Sequence, residues 1–98
     1  MPDAGRLGPI PANALLGVIV PAFNEEATIG RVLRRVLLQE PVAQVILVDD
    51  CSTDGTLSVA QAFTNDPRLT IVSHTRNKGK GAAIRTGLCA VTAPVVII

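Results

Sequence analysis

The sequence lacks the residues on which several classes of protein depend. Its 98 residues include no Trp, no Tyr and only two Phe, so there is no aromatic platform for stacking single-stranded bases. Positive charge is not in excess either, because nine Lys and Arg face eight Asp and Glu and leave a net charge of +1. A protein that coats nucleic acid shows a strong or clustered basic excess. We therefore expect no nucleic-acid partner.

Cysteine and histidine are too few for a structural zinc site or a disulfide framework. Cys51 and Cys89 are far apart with no CxxC spacing, and His74 is the single histidine. This usage favours a reducing compartment, with both thiols packed as small buried hydrophobic groups. We expect His74 to be a surface loop residue rather than a ligand.

Long apolar runs are also missing. No stretch of about 18 apolar residues occurs, so no membrane span is predicted in this chain. The first 13 residues contain three prolines and two glycines and are predicted to form a flexible arm. A hydrophobic content of 48% and a mean hydropathy of +0.42 argue against disorder elsewhere. Residues 14–98 are therefore expected to form one small domain.

Apolar runs alternate with helix-forming segments along that domain. Four continuous apolar runs, typical of strands buried on both faces, lie at residues 15–20, which Pro21 closes, 45–48, 69–72 and 95–98. After the first run, apolar residues recur at helical spacing from Ile29 to Leu37. Asn24 is the predicted N-cap of this helix, with Glu25 and Glu26 in its first turn. Further helices are predicted at about residues 56–63 and 81–91.

The order β-α-β-α-β-α-β, without hairpin signals, predicts a Rossmann-like α/β fold with a parallel sheet and helices on both faces. In open sheets of this kind, ligands bind outside the carboxyl ends of the strands. Three segments gather at that edge, namely residues 21–25, 49–55 and 74–79. Because the sequence ends on a strand, where a fourth such loop would begin, we expect the chain to be truncated or a fragment.

An acidic pair, Asp49 and Asp50, directly follows the second predicted strand. Adjacent carboxylates repel each other, so we expect some group to make use of them. A cation is one candidate, and the ring N–H of a nucleobase, which needs an acceptor, is another. The alternative is structural, with one carboxylate capping the next helix or ordering the turn with Ser52 and Thr53.

A glycine-rich segment, Gly79-Lys80-Gly81, precedes the last predicted helix and suggests contact with an anion at a helix N-terminus. A plain tight turn with solvated lysines explains it equally well. It is not a P-loop, because Lys80 is not followed by Ser or Thr, and Ile84 breaks a dinucleotide fingerprint. The first βα turn has no glycine, which disfavours a flavin- or dinucleotide-binding protein. A phosphorylation receiver domain is also disfavoured, because no acceptor aspartate ends another central strand.

Taken together, three motifs resemble glycosyltransferase family 2 of the GT-A fold. They are VIVPAFNEE at residues 18–26, VDDCSTDGT at 48–56 and NKGKGAA at 77–83. Within the family, the motifs look most like those of polyprenyl-phosphate (dolichyl-phosphate) mannosyl- and glucosyltransferases. The resemblance extends over residues 15–98. It implies transfer of a hexose from a GDP- or UDP-sugar, with polyprenyl phosphate or another molecule as the acceptor.

The resemblance also assigns roles to individual residues. It implies that Pro21, Phe23 and Glu25 line the base and ribose of the nucleotide, with Glu25 accepting hydrogen bonds from ribose hydroxyls. Phe23 stands where many relatives have Tyr, which keeps a flat wall but loses a phenolic hydrogen bond. Val48 and Asp50 would read the base, with Asp50 accepting its ring N–H.

On charge alone, Lys78 and Lys80 are expected to be neighbours of the donor diphosphate. The resemblance implies Mg²⁺ or Mn²⁺ as cofactor, held by an Asp-x-Asp motif that is expected after Ile98. The catalytic base and acceptor pocket are expected beyond that point too, so no catalytic or metal residue is predicted within this chain. The 98 residues alone would then bind nucleotide without transferring sugar. The expected location is the cytoplasm, including the cytoplasmic face of a membrane.

Overall fold

The structure is a computed structural model that describes residues 15–98. The arm predicted over residues 1–13 lies outside them. Seven elements follow one another as β1 (Leu16–Ala22), α1 (Ile29–Leu37), β2 (Val42–Asp49), α2 (Thr56–Gln61), β3 (Leu69–Ser73), α3 (Lys80–Ala90) and β4 (Val95–Ile97). The predicted alternation of strands and helices is thus confirmed.

The four strands form one parallel sheet in the order β3-β2-β1-β4. The chain builds outward from β1 to β3, then returns through α3 and places β4 on the other side of β1. The strand order therefore reverses between β1 and β4. In open α/β sheets, such a switch point is where a crevice forms at the carboxyl ends of the strands.

Side chains alternate between the two faces of the sheet, as strand geometry requires. On β2, Val45 and Leu47 pack against α1 and α2 in one buried cluster that includes Ile29, Leu33 and Ala60. Ile46 and Val48 point the other way and pack with Ala83 of α3. The expectation of a sheet covered by helices on both faces is therefore confirmed.

Helix α3 lies close to the sheet because position 87 has no side chain. A Cβ atom added to Gly87 would stand 2.5 Å from Cγ2 of Ile19, which is itself 1% exposed. Only a glycine allows this approach of helix and strand. The start of α3 is thereby held near the end of β1.

The first strand continues through Pro21, which the sequence analysis placed outside it. Pro21 pairs with Val48 of β2, whereas β4 pairs with β1 only as far as Val18. On the β4 side, Pro21 thus faces no strand, and proline is tolerated at such unpaired positions.

The predicted cap of α1 is wrong. Thr28 occupies the N-cap position, and the first turn contains no acidic residue. Asn24 instead adopts a left-handed conformation with φ of 52°, and its Oδ1 accepts a hydrogen bond from the Thr53 N–H at 2.8 Å. Glu25 lies before the helix, where its carbonyl accepts from the N–H groups of Thr28 and Ile29. Asn24 therefore joins two loops rather than capping a helix.

Candidate functional site

A cavity of about 500 Å³ opens at the carboxyl ends of β1 and β4, beside the start of α3. It lies at the switch point of the sheet. The residues that line it are Pro21, Ala22, Phe23, Glu25, Asp50, Asn77, Gly79, Lys80, Ala83 and Ile98. Residues from all three segments that the sequence analysis placed at this edge thus surround one space.

The loop after β1 forms one wall of the cavity. Pro21, Phe23 and Glu25 all line it, and Phe23 presents an apolar ring that is 44% exposed. The main chain of this loop is fixed from the neighbouring segment, because the N–H of Glu25 donates to Thr56 Oγ1 at 2.7 Å. The N–H of Asn24 likewise donates to a side-chain hydroxyl of that segment, at 2.9 Å. The wall is therefore held in place before any ligand arrives.

Asp50 lies at the floor of the cavity and is 4% exposed. Its Oδ1 accepts from the Lys78 N–H and lies next to Nδ1 of His74, both at 2.8 Å. Its Oδ2 accepts from the Gly79 N–H at 2.9 Å. The hydrogen bonds from His74 and Lys78 outweigh the effect of burial and hold the pKa of the Asp50 carboxyl below its usual value. Asp50 is therefore an ionised acceptor at neutral pH.

The carboxylate of Asp50 still has room for one more donor. An ionised carboxyl group offers about four acceptor positions, two on each oxygen. Among residues 15–98, Oδ1 has two partners and Oδ2 has one. One position on Oδ2 is left for a ligand. Asp50 thus holds the loop before α3 through the N–H groups of Lys78 and Gly79, and it has one acceptor position left for a ligand in the cavity.

Asp49 has a different role from its neighbour. It is 3% exposed, and its Oδ1 accepts from the Ser52 hydroxyl at 2.6 Å. Its Oδ2 accepts more weakly from the Ser52 N–H at 3.4 Å. The sequence left open whether the acidic pair binds a ligand or has a structural role. Asp49 fits the structural role, because its carboxylate orders the turn with Ser52.

The segment Lys78-Gly79-Lys80 places one of its two lysines at the cavity. Gly79, with φ of 93°, precedes α3, and Lys80 begins the helix and lines the cavity. Lys78 is exposed and is not among the lining residues. The N–H groups of Lys78 and Gly79 are both used by Asp50, so they do not form an open cradle for an anion. Lys80 thus places a positive charge at the cavity, at the positive end of the α3 dipole.

Val48 does not reach the cavity. Its side chain is completely buried in the cluster beneath α3, and it is not among the lining residues. Val48 lies near the end of β2, two residues before Asp50, and packs beneath the site.

Two expectations about single residues are wrong. His74 is not a surface residue, because its side chain is 6% exposed and both ring nitrogens have partners. The thiols are not both buried, since Cys89 is exposed and Cys51 is only half-buried. Sequence reasoning missed His74 because its partners lie elsewhere in the chain. Its position directly after β3, at the same edge as the acidic pair, was the available signal.

Side chains of the types that bind metal ions do not cluster in the part of the chain that the structure describes. Among residues 15–98, no three or more His, Cys, Asp or Glu side chains come together in a way that could hold one. Asp49 and Asp50 are engaged by hydrogen-bond donors within the protein. The cation reading of the acidic pair stays a prediction, because no set of three ligands forms around the pair in these residues. Within the same range, no helix is both long and apolar enough to cross a bilayer.

The fold and cavity define a doubly wound α/β protein with its site at the switch point, and comparison with known proteins gives its family. The family model described as Glycosyl transferase family 2 matches residues 17–98. The chain belongs to this family. Its four parallel strands and helices correspond to part of the GT-A fold.

Individual relatives agree with this assignment. The chain is 39% identical over 79 residues to dodecaprenyl-phosphate galacturonate synthase of Rhizobium johnstonii, covering 74% of this chain and 23% of that protein. Mannosyltransferase PcManGT from Pyrobaculum calidifontis, solved with GDP-Man and Mn²⁺, superposes with a TM-score of 0.78 at 34% identity. That match covers 86% of this chain and 26% of the other.

A third relative was solved with a different nucleotide. S. aureus TarS 1-349 in complex with UDP-GlcNAc gives a TM-score of 0.77 at 30% identity, covering 84% of this chain and 25% of that one. The first curated relatives are also much longer than this chain, which spans 21% of one and 32% of another.

Proposed function

We propose that the cavity binds the nucleoside diphosphate of a GDP- or UDP-sugar, and that the whole protein transfers the hexose to polyprenyl phosphate or another acceptor. The observation that carries this proposal is Asp50, an ionised and almost buried carboxylate that lines the cavity and has one acceptor position without a partner among the described residues. Family membership and relatives solved with GDP-Man and UDP-GlcNAc support it.

In this proposal, Asp50 recognises the base through its ring N–H. Guanine carries such a donor at N1 and uracil at N3, whereas adenine has a bare acceptor at N1. A carboxylate therefore selects guanine or uracil over adenine, because adenine would leave it facing a lone pair. The same contact does not separate guanine from uracil. The proposal accordingly names both donors.

The remaining lining residues complete the nucleotide site. Phe23 supplies a flat apolar surface for the base, and Glu25 accepts hydrogen bonds from the ribose hydroxyls. Lys80, at the start of α3, faces the diphosphate, with Lys78 as a more distant positive charge. Val48 acts from below, by supporting Asp50 and the end of β2.

We also propose that the transfer step depends on residues outside 15–98. A divalent cation, Mg²⁺ or Mn²⁺, would neutralise the departing diphosphate, and an Asp-x-Asp motif beyond Ile98 would bind it. The Mn²⁺ in the mannosyltransferase relative supports this part of the proposal. The described residues then provide nucleotide binding only. We place the protein in the cytoplasm or at the cytoplasmic face of a membrane.

Isothermal titration of the full chain with GDP, UDP, ADP and NAD tests the proposal. We expect GDP or UDP to bind most tightly, and ADP and NAD to bind weakly. Replacing the charged acceptor in Asp50→Asn should weaken binding of the preferred nucleotide by about 10- to 100-fold, as for a lost hydrogen bond to a charged group.

Asp66→Asn is the matched control. Asp66 is also a carboxylate with a close partner, 2.8 Å from Nη2 of Arg68, but it precedes β3 and so lies at the opposite edge of the sheet. This variant should bind nucleotide like the wild type. A preference for NAD, or an unchanged dissociation constant for Asp50→Asn, would contradict the proposal.

A further inference from the structure

His74 is a buried polar group to which the proposed function gives no role. It follows β3 and does not line the cavity, yet both of its ring nitrogens are paired. Nδ1 lies 2.8 Å from Asp50 Oδ1, and Nε2 lies 2.8 Å from the hydroxyl oxygen of Thr86 in α3. His74 thus bridges the end of β2 and the middle of α3.

We propose that His74 is a positioning residue for recognition of the nucleobase. It holds the Asp50 carboxylate in the orientation that leaves one Oδ2 acceptor for the ring N–H of the base. Through Thr86, it also fixes the placement of α3 relative to that carboxylate. The inference rests on the proposed function, since it concerns the same site.

The geometry determines where the protons are. An ionised carboxylate only accepts hydrogen bonds, so Nδ1 of His74 carries a proton and donates it to Asp50. Nε2 lies within hydrogen-bond distance of the Thr86 hydroxyl oxygen. His74 therefore contacts Asp50 and Thr86 through different ring nitrogens.

The second contact connects the two ends of the nucleotide site. Thr86 follows Lys80 by six positions in α3, which corresponds to about 9 Å along the helix axis. A tie from Asp50 through His74 to Thr86 thus sets the distance between the base-binding carboxylate and the lysine at the helix start. Nucleotide binding requires both groups to be correctly placed at once.

The two other contacts of Asp50 do not replace His74. They come from the adjacent N–H groups of Lys78 and Gly79, which belong to one exposed loop. His74 is the side-chain partner that comes from a different direction and is itself almost buried. Without it, Oδ1 of a buried carboxylate loses a donor, and the carboxylate can turn its open acceptor away from the cavity.

Two substitutions test the two hydrogen bonds of the His74 ring separately. The amide nitrogen of asparagine reaches as far along the side chain as Nδ1 of histidine, whereas that of glutamine reaches as far as Nε2. His74→Asn therefore keeps a donor for Asp50, and His74→Gln keeps only a group near Thr86. His74→Leu removes both contacts and fills a similar volume.

The experiment measures dissociation constants for GDP and UDP by calorimetry, and thermal midpoints, on the full chain with each variant. We expect His74→Asn to bind the preferred nucleotide within about threefold of the wild type, and His74→Gln and His74→Leu to bind it about tenfold or more weakly. Thermal midpoints of the Asn and Gln variants should be similar, because each keeps one of the two contacts. A purely structural histidine would not give this ranking.

Thr86→Val keeps the shape of the side chain and removes the hydroxyl, so it tests the second contact if a His74 variant does not fold. It should weaken nucleotide binding by about two- to fivefold. Equal affinity of wild type, His74→Gln and Thr86→Val would overturn the inference, as would losses that follow thermal stability alone. A wild-type protein that binds neither GDP nor UDP would instead refute the proposed function itself.

Discussion

Asp49 and Asp50 are the same amino acid in adjacent positions, but their neighbours give them different roles. The Asp49 carboxylate accepts hydrogen bonds from the hydroxyl and the N–H of Ser52, within its own turn. Asp50 is held by groups 24 to 29 positions further along the chain and retains one acceptor position. Asp50 lines the cavity and Asp49 is not among its lining residues, so position relative to the cavity decides which carboxylate is available to a ligand.

Cys51, in the turn after this pair, gives a prediction about backbone strain. Its φ is 63°, in the left-handed region that costs most residues about 1–2 kcal/mol and glycine very little. Glycine loses about 0.5–1 kcal/mol through the entropy of the unfolded chain. Cys51→Gly should therefore raise the free energy of unfolding by about 0.5–1 kcal/mol, measured by urea denaturation.

Cys51→Ala is the control for this substitution, because it removes the sulfur and its weak contact with the Thr75 carbonyl but keeps Cβ. It should be no more stable than the wild type. If Cys51→Ala and Cys51→Gly gained stability equally, relief of backbone strain would not be the cause.

At the scale of elements, the start of α1 shows where local rules fail. Asn followed by two acidic residues is a reasonable capping signal, but Asn24 has a stronger partner in the Thr53 N–H of another loop. The N-cap is Thr28, and six residues, 23–28, lie between strand and helix. Tertiary hydrogen bonds thus replaced a local cap and shaped one wall of the cavity.

The contact between α3 and β1 gives a second prediction. Gly87→Ala puts a Cβ atom 2.5 Å from Ile19 Cγ2, and such overpacking costs about 1–3 kcal/mol. The gain in helix propensity, about 1 kcal/mol, offsets part of this. We expect a net loss of up to about 2 kcal/mol in the free energy of unfolding, measured by chemical denaturation.

Gly81→Ala, in the same helix, is the matched control. A Cβ atom there would meet only Nη1 of Arg85, at an ordinary contact distance of 3.6 Å. This variant should gain stability by about 0.5–1 kcal/mol from helix propensity. If the Gly87→Ala protein were as stable as the Gly81→Ala protein, the Ile19 side chain would have moved to make room for the added Cβ atom, and the predicted overpacking would be wrong.

On the scale of the whole molecule, the sequence predicts the architecture well. Apolar runs and helical spacing give all seven elements in order, and that order gives the parallel sheet and its ligand-binding edge. Pro21, Phe23, Glu25 and Asp50, which the family resemblance assigned to the nucleotide, all line the cavity.

What the sequence could not give depends on packing between distant segments. Asp50 and His74 are 24 positions apart and come into contact only because β2 and β3 are neighbours in the sheet. Thr86 reaches the same histidine because α3 lies on that face. No local sequence pattern contains these contacts. The sequence analysis therefore predicted a surface position for His74, although its side chain is almost buried.

The most direct test of the account is a crystal structure of the full chain with its preferred nucleotide, GDP or UDP. The account predicts that N1 of guanine or N3 of uracil lies about 3 Å from Oδ2 of Asp50, with the base against Phe23. A base bound elsewhere, or a ring N–H directed at another acceptor while the Asp50 position stays empty, would contradict it.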